Sequence, residues 1–306
     1  MPAAILVLLA AGLASPVYET AFWSHWGDGK AELCGYELSI PRYGQPRAGS
    51  AVAIFVTEDF SERLRVKADP GNHEASSVYP VLKLNLVEDF STGIYDYNLM
   101  TSVFVALKPH AGRPAGAISK VSFSAQEWCG HVYEQMLFYA DRIELSAHSY
   151  FDGEADAEQS LRVDGPTFAE DSLPIWARGL AWPLVAAGER VRVSMLRSAK
   201  RMRLAHREAE RIDVVLARET TTTKLLVQDE EISARIATVQ RPDGEVLARY
   251  WIEEAAPQRL LRWELPNGES AQLIRSTRLA YWQLNGPGGE RHLEQLGLSP
   301  RPLRTP

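Results

Sequence analysis

Residues 18–150 alternate short segments rich in Val, Ile, Phe, Tyr and Thr with clusters of turn-forming residues, which confines this stretch to strands joined by hairpins and loops. Residues 51–57 (AVAIFVT) are the clearest strand, and 31–40, 81–87, 102–108, 120–127 and 144–151 are further ones. Asp69-Pro70-Gly71-Asn72 and Arg113-Pro114-Ala115-Gly116 separate them, because Pro fixes φ and Gly accepts the positive φ of tight turns. Few windows carry apolar residues at helical spacing, so helices are expected to be a minority.

Residues 152–174 are poor in aliphatics and contain Asp152-Gly153 and Asp164-Gly165-Pro166. They read as a long connection between a β-rich N-terminal domain over 15–165 and a second domain over 166–285. In 189–196 (ERVRVSML), Val191, Val193 and Met195 share one face and Arg190, Arg192 and Ser194 the other, the period-two alternation of a half-buried strand. Asp243-Gly244 lies between candidate strands 232–239 and 246–252, and Asn267-Gly268 between 260–265 and 270–274; both dipeptides suit tight hairpins. This last third reads as an antiparallel meander ending in a strand over 278–284 (RLAYWQL), followed by a flexible Gly/Pro-rich tail, 286–306, with little capacity to pack. The expected class is all-β and mainly antiparallel, with two β-rich halves forming curved sheets or open barrels.

A chain of 306 residues that is 45% apolar and 24% charged has ample material for a core. Its net charge of −6 gives no general reason to bind nucleic acid or an acidic membrane surface. Two cysteines exclude a disulfide-dense miniprotein and a four-cysteine zinc site. The apolar run 3–13 (AAILVLLAAGL) is too short to span a bilayer and suits a signal-peptide core, although no Lys or Arg precedes it. Gly12 and Ala14 supply the small residues for cleavage after Ala14, so 1–14 is expected to be a signal peptide, the mature chain to have no transmembrane span, and its location to be periplasmic or otherwise exported; a buried N-terminal strand or helix is the alternative. An oxidising compartment would allow Cys34 and Cys129 to pair, closing a loop of about 95 residues worth roughly 4 kcal/mol. Two separately buried thiols are the alternative.

The densest chemical constellation is Gln126-Glu127-Trp128-Cys129-Gly130-His131. On a strand, Glu127, Cys129 and His131 would share one face and place an acid, a thiol and an imidazole together. Residues i and i+2 stand roughly 6–7 Å apart at the backbone, a long reach for thiol-to-imidazole hydrogen bonding. A structural role, with Trp128 in the core and Cys129 bridged or buried, fits better. His25 lies among Phe22, Trp23 and Trp26, where aromatic packing is expected. No HxH, HExxH or CxxC pattern points to a metal, and no GxxxxGK[ST], GxGxxG or GxSxG motif points to a nucleotide or a serine nucleophile, so neither metal nor cofactor is expected. From Glu189 to Arg211 eight Arg or Lys stand against three Glu. Such a run can hold phosphate or anionic headgroups, but its interleaved apolar residues fit a pair of strands with solvated arginines on their outer faces.

Trp182-Pro183-Leu184 with Gly188-Glu189-Arg190, then Arg249-Tyr250-Trp251-Ile252, Arg259-Leu260-Leu261-Arg262 and Arg278-Leu279-Ala280-Tyr281-Trp282, resemble an exported bacterial β-rich family of unknown function, DUF3108-like. Residues 51–60, 94–102 and 126–133 resemble a related group often labelled septum formation inhibitor Maf; together the segments cover roughly residues 20–285. Maf nucleotide pyrophosphatases carry Ser-Pro-Arg-Arg on an α/β fold, whereas here Ala14-Ser15-Pro16 runs into Val17-Tyr18, so no catalytic residue is carried over. The resemblance implies an envelope location and a curved antiparallel sheet or open barrel similar to lipoprotein-carrier scaffolds.

The resulting expectation is a non-enzymatic exported protein whose curved sheets enclose an apolar groove for a lipid, another hydrophobic ligand or an envelope partner, since barrels commonly hold ligands in their mouths. Eight Trp and eleven Tyr are available to line it. A cysteine enzyme using Cys129, His131 and Glu127, and an interaction module offering sheet edges, are the alternatives.

Overall fold

The computed structural model describes residues 13–300. Apart from Leu13 and Ala14, the expected signal segment lies outside the described residues, as do the last six residues of the expected tail. The strands are β1 (Ala31–Arg42), β2 (Gln45–Ser61), β3 (Val66–Lys67), β4 (Val78–Thr92), β5 (Tyr95–Ala106), β6 (Ile118–Glu127), β7 (Gly130–Phe138), β8 (Arg142–Ser149) and β9 (Asp156–Arg162). They continue with β10 (Phe168–Ala169), β11 (Arg190–Leu196), β12 (Arg211–Val227), β13 (Glu230–Gln240), β14 (Val246–Glu253), β15 (Leu260–Glu264) and β16 (Ser270–Leu279). Three short α-helices accompany them among the described residues: α1 (Thr20–Trp26), α2 (Leu173–Ala177) and α3 (Ala199–Leu204).

All sixteen strands join one sheet, ordered β10-β11-β12-β13-β14-β15-β16-β1-β2-β4-β5-β6-β7-β8-β9, with β3 beside β2. Pairing is antiparallel except for β10 with β11. The path is open, so the all-β, mainly antiparallel architecture holds without closure into a barrel. Both chain segments belong to this sheet, because β16 pairs with β1 from Ala31 opposite Leu279 to Ser39 opposite Ser270.

Turn chemistry explains most of the order. The β1–β2 hairpin closes Arg42 against Gln45 with Tyr43 and Gly44 at φ of 54° and 73°, the two positive angles of a type I′ turn. Gly93, Gly244 and Gly268 take φ of 70°, 99° and 93° at the β4–β5, β13–β14 and β15–β16 turns. The expected strands are present and most are longer, residues 51–57 being the middle of β2. The last strand differs: β16 ends at Leu279, and Tyr281–Gln283 forms a 3-10 turn, because β1 offers no partner before Ala31. The connection 152–174 contains β9, a polar edge strand on β8. Its mostly charged or polar sequence hides the period-two signal and suits an edge that must not recruit other strands.

One apolar cluster unites both halves, including Tyr36, Phe55 and Phe123 from one and Val193, Leu216 and Ile252 from the other. Strands far apart along the sheet therefore face a common interior. That interior is filled by the chain itself, since Leu173, Ile175 and Trp176 of α2 are buried in the same cluster. Arg178, just after α2, anchors this plug. Its guanidinium makes a two-pronged ion pair with Glu32, at 2.7 and 3.1 Å, donates to the Gln258 and Pro257 carbonyls at 2.9 and 3.1 Å, and lies over the Phe55 ring at 4.5 Å. On the opposite face Gly289–Leu296 winds into a 3-10 helix whose Leu296 packs on Ala31, Leu33 and Val56. A segment read as having little capacity to pack thus supplies a small second core.

Candidate functional site

The basic run between Glu189 and Arg211 is not a solvated strand pair. It comprises β11 and α3, a helix of good formers after Ser198, whose side-chain oxygen accepts from the Arg201 amide at 3.4 Å. α3 sits at one end of the curled sheet, where each cation meets a buried acid. Lys200 Nζ lies 2.8 and 3.1 Å from the Glu88 oxygens and 2.7 Å from Glu269 Oε1. Arg201 and Arg197 hold opposite sides of Glu170 at 2.8 and 2.9 Å, and Arg203 pairs with Glu134 at 2.9 Å. Asp171 accepts from the Ser198 hydroxyl at 3.0 Å and the Ala199 amide at 3.3 Å.

These neighbours act against burial to different extents. Burial pushes Glu170 upward, but the Arg201 and Arg197 guanidiniums overcome it and hold the carboxyl below its ordinary range. Burial disfavours the Lys200 cation, yet Glu269 and Glu88 hold its pKa above the usual amine value. Glu88 is raised by burial, with Lys200 offsetting only part. Asp171 has no cation of its own, and burial pushes it up to about 7.

Between α3 and the sheet is a partly enclosed cavity of about 270 Å³. Its apolar and aromatic walls include Ile40, Leu86, Leu204, Tyr250, Trp263 and Leu265; Arg42, Glu170, Asp171, Lys200, Arg201 and Glu269 supply charge. Arg42 donates to the Leu204 carbonyl at 2.9 Å and to the Tyr97 hydroxyl at 3.2 Å. Every charged side chain in the lining is therefore committed to another protein group. A wider surface cleft of about 450 Å³, bordered by Tyr18, Phe22, Trp26, Leu180 and Leu184, lies beside α1.

The cysteine constellation is arranged differently from the expected strand. β6 ends at Glu127 and β7 starts at Gly130, so Trp128-Cys129 is the tip of a tight hairpin and His131 pairs with Gln126 across it. Glu127, Cys129 and His131 do not follow one another along a strand face. Trp128 is exposed rather than core. The Cys129 amide donates to Glu127 Oε2 at 3.1 Å, and the same carboxylate raises the thiol's pKa, against thiolate formation. Cys34 and Cys129 are free, not a bridged pair. Cys34 is buried on β1, a strand paired on both sides, and its thiol is pushed up by burial; Cys129 projects from a hairpin tip. His25 packs edge-on against Trp26, with ring centroids 4.8 Å apart, as its aromatic setting suggests. Among the described residues no three His, Cys, Asp or Glu are grouped to hold a metal ion, and no helix is long and apolar enough to cross a membrane.

Sequence reasoning missed Glu170, Asp171 and Lys200 as a group. The available signal was an acidic pair, Glu170-Asp171, inside an aliphatic-poor segment, together with the cationic run that follows it; partners such as Glu88 and Lys200 are 112 residues apart.

No protein-family model matches the chain, and no curated protein sequence matches it. A similar solved structure is that of a β-barrel-like protein of the domain of unknown function DUF1849 from Brucella abortus, with 8% identity and a TM-score of 0.43, covering 81% of this chain and 98% of that chain.

Proposed function

We propose that this chain is an exported, non-enzymatic binding protein of the cell envelope that takes a small, uncharged, mainly apolar ligand in the cavity beside α3. One observation carries the reading: the cavity's charges neutralise one another or bond to protein groups, and what remains unengaged is the wall of Leu86, Leu204, Leu265, Tyr250 and Trp263. A charged ligand would have to displace an internal ion pair, at a cost that an apolar ligand avoids. At about 270 Å³ the space is just below the usual range of small-molecule sites, suited to a ring system or a short acyl chain. α2 and Trp176 fill the interior that a diacyl lipid would need.

Titration with N-phenyl-1-naphthylamine, whose fluorescence rises in apolar surroundings, tests the reading. Saturable one-to-one binding is expected, displaced by medium-chain alcohols and weakened about tenfold or more by Leu204→Trp, which fills the cavity. Binding that never saturates, or that Leu204→Trp leaves unchanged, would overturn it.

A further inference from the structure

Four connections at one end of the sheet each present a large apolar side chain to solvent. The antiparallel order puts the β1–β2, β4–β5, β6–β7 and β8–β9 turns at the same end. Their tips carry Tyr43, Ile94, Trp128 and Tyr150, which are 58%, 80%, 61% and 72% exposed. They form a row rather than isolated points. Tyr95, next to Ile94, donates to the Tyr43 hydroxyl at 3.3 Å and has its ring 6.2 Å from that of Trp128. The Tyr150 ring lies so close over Gly130 that a Cβ there would meet it at 2.5 Å.

Turn geometry does not ask for these residues. At φ of 54° the Tyr43 position favours Asn, Asp or Gly. In the C-terminal half, the β13–β14 and β15–β16 turns at this same end carry the ordinary Pro-Asp-Gly and Pro-Asn-Gly. Apolar tips are thus confined to one part of the rim, beginning beside Arg42 at the cavity mouth.

We propose that this rim seats the protein on the surface of a phospholipid bilayer, with the four tips in the interfacial layer. Tyr and Trp carry an apolar body and a polar handle, the combination enriched at membrane–water interfaces, and Ile94 is the most exposed of the four. Three of the tips are two-residue hairpins closed by the pairs Arg42–Gln45, Thr92–Tyr95 and Glu127–Gly130, so shallow insertion strips water from few unpaired backbone groups. The basic side chains nearest the row are each engaged with protein groups: Arg42 with Tyr97 and Leu204, Arg203 with Glu134, His206 with Glu154 and Arg207 with Glu210. Attachment is consequently driven by apolar burial and not by attraction to anionic headgroups.

Co-sedimentation of the full chain with phosphatidylcholine vesicles tests this, with phosphatidylglycerol-doped vesicles and high salt as further arms. Binding to both vesicle types with little salt dependence is expected, reduced about tenfold or more by Ile94→Asp with Trp128→Asp. Leu64→Asp, at the opposite end and 49% exposed in the native chain, should leave it unchanged, as should the cavity-filling Leu204→Trp, which separates this proposal from the cavity reading. A second readout is tryptophan quenching by brominated phosphatidylcholine, expected in the native chain and reduced in Trp128→Phe. Absence of binding to phosphatidylcholine, binding only to anionic vesicles and abolished by salt, equal loss with Leu64→Asp, or quenching unchanged in Trp128→Phe would each overturn the proposal. Concentration-dependent self-association lost in the rim double variant would assign the row to a second copy of the chain and overturn it equally.

Discussion

Two buried carboxyls set opposite trends in the stability of this protein with pH. Burial alone would raise Glu32, but the Arg178 charge overrides it, with help from His25, and the pKa falls from 4.5 to about 2. A depressed carboxyl contributes stability that is present above its unfolded value and lost as pH falls through the folded one, so the Glu32 contribution disappears between about 4.5 and 2. Asp171 behaves oppositely. Burial raises it from 3.8 to about 7, so between those values the folded chain keeps a proton that the unfolded chain has released, and stability declines as pH rises through that window. The decline is on the order of 4 kcal/mol. Asp171→Asn, which stays uncharged and keeps an acceptor for Ser198 or Ala199, should remove it. Urea unfolding of both proteins at pH 4 and pH 8 is the measurement: the variant should gain a few kcal/mol relative to the native chain between the two. A difference independent of pH would show that Asp171 is ionised throughout.

At the level of elements, the outer 3-10 helix Gly289–Leu296 makes the least expected demand on the sheet. A Cβ at Gly35 would lie 2.2 Å from the Leu296 carbonyl oxygen, so Gly35→Ala must lift this helix away from β1. A loss of about 1–3 kcal/mol is expected, as for other overpacked sites. A chain ending at Gly288 should show little penalty from the same substitution, because the obstructing carbonyl is gone; equal costs in both backgrounds would mean that the helix does not dock on β1 in solution. The sequence offered no sign of this contact, since a tail with Gly286, Pro287, Gly288 and Gly289 has the composition of a linker. Hairpins were legible because turn residues at Asp243-Gly244 and Asn267-Gly268 act locally. β11 was legible because Val191, Val193 and Met195 alternate with solvated partners. α3 was not: its cations are paid out to acids on β4, β7 and the β15–β16 turn, and no local period records such partners. The Glu127-Cys129-His131 reading failed for a related reason, as alternation is meaningful only if the chain stays extended, and here it reverses at Trp128-Cys129.

For the whole molecule the decisive contact is the pairing of the last strand with the first of the sheet. Residues 31–39 on β1 and 270–279 on β16 form the seam between the two β-rich segments, and the buried Glu32–Arg178 pair ties β1 to the plug that fills the common interior. Neither segment can bury its inner face alone: removing β11–β16 would uncover Tyr36 and Leu38, which pack in the same cluster as Leu260, Trp263 and Leu273. Breaking the Glu32–Arg178 pair on one side leaves an uncompensated buried guanidinium, which costs about 3–5 kcal/mol. Because that charge touches β1, the 257–258 loop and the segment after α2 together, the loss should be shared by the entire fold. Glu32→Ala is therefore expected to lower one common unfolding transition, with near-ultraviolet and far-ultraviolet circular dichroism moving at the same denaturant concentration. Separate transitions, with only one of them shifted by Glu32→Ala, would show instead that the two segments fold independently and that the β16–β1 seam contributes little to their association.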